Sequence, residues 1–255
     1  MTLFQTLILS FVEGITEFLP VSSTGHLVLT SQILNISQTE FIKSFEIIIQ
    51  LGAILAVAIL YYKKLLNTKL WPQILVAFLP SAFIGFFLYK LIKDFLIGNG
   101  LITVIALFIG GIAFIAIEKL MKTGGKIDDI GNITLKKAFI IGLFQSISII
   151  PGTSRAGASI IGALIAGINR KTAAEFSFIL AVPTMIGATT LDIFETKLSF
   201  SQDELFLLLF GFIGSFVFAI LTVKLFIKYL INHDFIGFGI YRIFAAIVFY
   251  LIFLR

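Results

Sequence analysis

The stretch EGITEFLPVSSTGHL, Glu13 to Leu27, lies between the apolar run LFQTLILSFV and the apolar residues of VLTSQIL. It places two carboxylates, two serines, a threonine and a histidine within fourteen residues. The rest of the chain makes that costly. Of 255 residues, 58% are hydrophobic and 13% charged, and the mean hydropathy is +1.07, which leaves too little polar surface to cover a water-soluble fold of this length. Apolar runs of about 17 to 22 residues recur, the length a helix needs to cross roughly 30 Å of hydrocarbon. Membrane strands would instead alternate apolar and polar residues. The chain therefore reads as an all-α polytopic integral membrane protein. A polar break inside an apolar run is tolerated in lipid only where it faces protein or a water-filled cavity. Pro20 and Gly25 bracket such a break, so the region 2–34 is expected to fold as a re-entrant helical hairpin that enters and leaves on one side.

Spanning helices are expected at about 45–62, 72–92, 101–120, 173–193, 205–229 and 238–254, and the interrupted region 136–167 reads as a second re-entrant hairpin. If the spans alternate and the hairpins do not cross, twelve of the 19 Lys and Arg fall on one side (Lys63 to Lys69, Lys119 to Lys137, Arg170, Lys171, Lys224 and Lys228). Five fall on the other (Lys43, Lys90, Lys93, Lys197 and Arg255). The positive-inside rule makes the first set cytoplasmic, so the first hairpin opens to the outside and the second to the inside. The hairpins also echo each other: FVEGITEFLPVSSTGH aligns loosely with LFQSISIIPGTSRAGA, with Pro20, Ser22 and Ser23 on Pro151, Thr153 and Ser154 at an offset of 131. Opposite orientation with weak repetition marks an inverted-topology repeat, here about 1–120 and 133–255 of a single membrane domain. The N-terminal residues lack the basic start of a signal peptide and read as part of the fold. There is no cysteine, hence no disulfide or thiolate chemistry. The net charge of +5 sits in short loops beside apolar spans, which membrane topology explains and nucleic-acid binding does not.

Glu13 and Glu17, four residues apart, share one helical face. Burying one ionised Glu at membrane depth costs about 2.5 to 3.5 kcal/mol on insertion scales, so a pair demands a compensating cation, and hard carboxylate oxygens suit Mg²⁺ or Ca²⁺. Ser22, Ser23 and Thr24 either cap a new helix or offer hydroxyls to a substrate. His26, beside them, is a candidate nucleophile or general acid/base. In the second region, PGTSRAGAS from Pro151 to Ser159 places the fork of Arg155 where it can take phosphate oxygens. Gly152, Thr153 and Ser154 can bring backbone N–H groups and hydroxyls to the same anion at a helix start. No Lys follows in the GxxxxGK[ST] manner, so this is not a nucleotide P-loop. Together the two segments are equipment for phosphoryl transfer on a lipid-borne phosphate. A transporter or flippase is the rival from another class, since broken helices in inverted repeats are its usual architecture.

EGITEFLPVSSTGHL and PGTSRAGAS resemble the two signature motifs of the bacterial undecaprenyl-diphosphate phosphatase family associated with bacitracin resistance, and FEIIIQLGAILAV and EFSFILAVP resemble its accompanying segments. The resemblance implies removal of the terminal phosphate of undecaprenyl diphosphate, recycling the lipid carrier for peptidoglycan. It also implies a divalent metal and a site facing the outside of the cytoplasmic membrane. Glu13, Glu17, Ser23, His26 and Arg155 match the motif residues. The chain departs from the family pattern at Ala156, where Ser is commoner, and at Ser159, where Thr is. The partners so implied are a polyprenyl diphosphate and the surrounding lipids, with a homodimer a further candidate. Among other polar residues, Gln50 and Glu46 are candidates for lining the cavity. Glu175 reads as interfacial beside Arg170 and Lys171, His233 as solvated, and Arg242 as a side chain snorkelling to the membrane edge from one turn inside the last span.

Overall fold

The computed structural model describes residues 1–37, 39–95, 100–121, 125–195 and 200–254, with side chains except at 89–95, 191–195 and 253. Lys122, Lys197 and Arg255 of the charge count lie outside the described residues, as do the side chains of Lys90 and Lys93. Helices α1 (Leu3–Thr16) and α2 (Ser23–Ile33) form the first hairpin. They are followed by α3 (Glu40–Leu60), the short α4 (Tyr62–Leu65), α5 (Trp71–Phe95) and α6 (Gly100–Leu120). The second hairpin is α7 (Leu135–Ser146) and α8 (Arg155–Ile165), and α9 (Arg170–Glu195), α10 (Gln202–Tyr229) and α11 (Ile236–Phe253) complete the chain.

Length separates two kinds of helix. Helices α3, α5, α6, α9 and α10 are long and apolar enough to cross a bilayer. Each lies within a few residues of an expected span; α11, at 18 residues, is the shorter sixth and reaches about 27 Å at 1.5 Å per residue. The hairpin helices, of 14, 11, 12 and 11 residues, reach only about 17 to 21 Å, too short to cross roughly 30 Å of hydrocarbon. Their outer ends are fixed by side-chain caps: Thr2 forms a capping box with Gln5, and the Thr134 hydroxyl accepts the Lys137 N–H. Lipid-facing positions are apolar, as at Phe83, Phe86, Phe206, Leu209 and Leu225.

The hairpins are held by exchange of partners. Helix α1 packs on α10, late in the chain, while α7 packs on α5, from the first half; α6 pairs with α11 and α3 with α10. The Ser215 hydroxyl of α10 donates to the Ile49 carbonyl of α3 at 2.6 Å, a polar bond between helices of the kind that substitutes for the missing hydrophobic drive in lipid. Pro80 and Pro183 lie inside α5 and α9, and beside them Gln145 of α7 donates to the Ser81 and Thr184 hydroxyls at 2.9 and 3.1 Å.

Glu175 and Arg170, near each other in sequence, enter separate ion pairs. The partner of Glu175 is Lys64 of α4, whereas Arg170 takes the carboxylate of Glu118 in a fork, through Nε at 2.9 Å and a terminal nitrogen at 2.6 Å. Glu118 also accepts the Phe235 N–H at 3.0 Å, so it joins α6, α9 and the start of α11. Five residues apart on α9, the two side chains lie on different helical faces and meet different neighbours.

Candidate active site

The broken ends of the two hairpins meet. At each, the chain reaches the second helix through a serine in the left-handed region, Ser22 at φ 75° and Ser154 at φ 71°. This turn reverses the backbone so that the N-termini of α2 and α8 point into a shared cavity of about 130 Å³, which Ser22, Ser23, Thr24, Ser154 and Arg155 help to line. Helix N-termini present unpaired N–H groups and a partial positive charge, a setting suited to anions. Gly152 sits at φ 89° against the Thr103 backbone, where an added Cβ would collide with it, so the second tip rests directly on α6.

Glu17 organises the cavity. Its N–H continues the α1 ladder to the Glu13 carbonyl at 3.0 Å, which keeps both carboxylates on one helical face, as their spacing implied. One Glu17 oxygen accepts the Ser23 hydroxyl at 2.5 Å and the other accepts Arg155 at 2.8 Å. A hydroxyl, a carboxylate and a guanidinium from residues 138 apart thus form one hydrogen-bonded chain. Arg155 is further held by the Ser177 carbonyl at 3.1 Å and lies over the Phe18 ring at 5.7 Å. Its Nε is buried without a partner, while the side chain as a whole helps to line the cavity.

Glu13 is fully buried, lies against the Glu17 carboxylate, and has no hydrogen-bond donor on either oxygen. Two adjacent carboxylates with four acceptor oxygens and few donors suit a hard divalent cation that takes its remaining ligands from phosphate and water. No group of three His, Cys, Asp or Glu lies close enough to hold a metal among the described residues, so the acidic oxygens there are those of this pair.

The other expected site residues distribute unevenly. Gln50 lines the cavity, and Glu46 accepts the Ser31 hydroxyl instead. The Ser154 oxygen accepts the Gly157 N–H at 3.1 Å as the α8 cap, leaving its O–H to donate. Ser22 makes no side-chain cap. Thr153 faces away, into an apolar groove of about 360 Å³ between α6, α7 and α8. Ser159, at the departure from the family pattern, bonds the Ser177 hydroxyl at 2.6 Å. His26 does not line the cavity: its Nδ1 meets the Ser22 carbonyl at 2.8 Å and its Nε2 the Tyr241 hydroxyl at 2.5 Å. A carbonyl can only accept, so Nδ1 carries the proton and Tyr241 donates to Nε2. His233 is exposed, stacked on Tyr229 at 4.3 Å.

Arg242 departs most from its sequence reading. It does not snorkel; it is fully buried, with its guanidinium on backbone carbonyls of α6 and of both hairpin tips. A lone Arg one turn inside a span looks free to reach the membrane edge, but here broken backbone supplies acceptors in the interior. Tyr241 carries no such signal in the sequence, whereas Arg242 is a lone charge in an otherwise apolar helix, and intramembrane charge is functional by default.

The fold and this site define a multi-pass membrane protein with a buried, charged cavity. Its family follows from comparison: residues 6–248 match the model of the bacitracin resistance protein BacA. The chain is 51% identical over 255 residues to the undecaprenyl-diphosphatase of Aquifex aeolicus, covering 100% of both chains. It is 50% identical to that of a Sulfurihydrogenibium species, covering 98% of this chain and 99% of the relative. Identity to the undecaprenyl-diphosphatase of Persephonella marina is 51%, again over 98% and 99% of the two chains. The chain belongs to the BacA family.

Proposed function

We propose that this protein hydrolyses the terminal phosphate of undecaprenyl diphosphate, giving undecaprenyl phosphate and recycling the lipid carrier for peptidoglycan in the bacterial cytoplasmic membrane. The observation that carries the reading is the Glu17 carboxylate joining the Ser23 hydroxyl to Arg155 at the wall of the cavity. The diphosphate enters that cavity. The Arg155 guanidinium, the Ser154 hydroxyl and the N–H groups at the starts of α2 and α8 hold its oxygens, while Ser22 and Thr24 form the facing wall. Glu13 and Glu17 would hold a divalent cation, Mg²⁺ or Ca²⁺, which when bound neutralises charge on the phosphate oxygens.

Ser23 is the nucleophile best supported by geometry. As its oxygen forms a bond to the terminal phosphorus, Glu17 takes the hydroxyl proton. The bond from that phosphorus to the bridging oxygen breaks, and undecaprenyl phosphate leaves with the electron pair. Water then attacks the phosphoserine, releasing inorganic phosphate and restoring the serine. His26, with Nδ1 on the Ser22 carbonyl and Nε2 on Tyr241, fits the fixing of the first tip better than attack on phosphorus. The apolar groove at Thr153 borders the tip that lines the cavity, which suits the first isoprene units.

The exchange of packing partners between halves supports an inverted repeat, and the charge asymmetry supports a site opening to the outside of the membrane. Purified protein should release phosphate from a polyprenyl diphosphate in a Mg²⁺-dependent manner, with loss on Glu17→Gln. Lipid translocation without phosphate release would favour a flippase instead.

A further inference from the structure

Arg242 is an arginine that the chemistry above does not use. It lines no part of the cavity, yet no carboxylate among the described residues pairs with it. An isolated buried charge in a membrane protein is costly and persists only where hydrogen bonds compensate. Here the compensation is four carbonyls. Nε donates to Leu107 at 3.4 Å and one terminal nitrogen to Ala106 at 3.2 Å, both on α6. The remaining two donations go to the hairpin tips, Pro20 at 3.1 Å and Gly152 at 3.0 Å. Those two carbonyls occupy the same place in their loops, each two residues before the left-handed serine, Ser22 or Ser154. Each is three residues before the group proposed to meet phosphate, Ser23 or Arg155.

We propose that Arg242 is a positioning residue: its rigid guanidinium clamps both hairpin tips and so sets the separation of Ser23 from Arg155. Its part in turnover rests on the reading in the preceding subsection; the clamp itself does not. The planar fork is what allows one side chain to serve carbonyls in two loops. A lysine ammonium, whose donors radiate from one atom, cannot span them. The neighbour Gly110 leaves room for the fork, since a Cβ there would lie on the guanidinium.

Two variants disturb the clamp by different routes. Arg242→Lys keeps the charge and removes the fork, and Gly110→Ala keeps the fork and displaces it. Gly85→Ala is the control, since a Cβ at Gly85 meets nothing within 4 Å. Misplacing reacting groups by about 1 Å can cost about 100-fold in rate, so both variants should lower kcat about 100-fold with KM within about threefold of wild type. Independently of activity, hydrogen exchange should speed at least about tenfold at amides 21–23 and 152–155 together, while α3 and α10 keep their protection. Folded variants with wild-type turnover and unchanged tip exchange overturn the proposal. So does uniform loss of protection, or failure of both variants to fold, since either makes Arg242 a general stability element. If wild-type protein releases no phosphate but the variants still loosen both tips, the clamp stands and the reaction assignment falls.

Discussion

The two hairpins share a backbone and differ in chemistry. Helix caps at Thr2 and Thr134, left-handed serines at 22 and 154, and the positive-φ residues Asn35 and Gly167 all recur at a spacing of 132, one residue more than the echo read from the prolines. At that spacing Glu13 faces Gln145, Ser23 faces Arg155 and His26 faces Ala158. One hairpin therefore carries carboxylates, hydroxyl and imidazole, and the other carries the guanidinium and an amide. The difference shows how a buried site can hold opposite charges without either half needing to be neutral. Each hairpin supplies one sign, and the Glu17–Arg155 pair closes only when the tips meet.

That division can be broken one residue at a time. Glu17→Gln removes the group common to both halves, and general-base loss alone costs about 10²- to 10⁴-fold, so phosphate release should fall by about 10⁴-fold. Arg155→Lys keeps the positive sign but loses the fork. A fall of about 10³-fold in kcat/KM is expected, and activity within tenfold of wild type would show that charge alone suffices. Glu13→Gln gives the first hairpin the amide family found at Gln145 in the second; a loss of about 100-fold, with a higher Mg²⁺ concentration for half-maximal rate, would mark Glu13 as the side chain facing the cation. Tyr241→Phe removes the donor to His26 Nε2 and should cost only about threefold to tenfold in kcat, as expected when a residue acts through another. Gln145→Ala, at the position matching Glu13, loses two hydrogen bonds worth about 1 to 2 kcal/mol. It should lower Tm by about 3 to 6 °C with kcat unchanged, and a kcat loss comparable to that of Glu13→Gln would erase the contrast between the halves.

Much of this was legible in the chain itself. Uninterrupted apolar stretches fix the long helices because only helices satisfy their own backbone in lipid, and the interruptions at Pro20 and Pro151 locate both tips. The pairing of Glu13 with Glu17 follows from helical spacing. What the sequence could not carry were contacts decided by tertiary proximity. Tyr241 lies 215 residues from His26, and the acceptors for Arg242 are carbonyls, which leave no trace in residue identity. Ser154 reads in the sequence as a hydroxyl for the anion, and its oxygen caps a helix as well, because capping and anion binding call on the same residue type. The prolines Pro20 and Pro151 recur at 131 and the backbone turns at Ser22 and Ser154 at 132, because residue identity does not record backbone conformation.

Those two turns have a consequence for how the sequence can drift. A non-glycine residue in the left-handed region is disfavoured by about 1 to 2 kcal/mol, and glycine would adopt Ser22 φ 75° and Ser154 φ 71° without that penalty. The change would relax the backbone and delete a hydroxyl at the rim of the cavity in the same step. Selection for thermal stability alone would drive both positions toward glycine, and retained function would drive them back, so the tips are the places where a heat-hardened variant and an active one should part company.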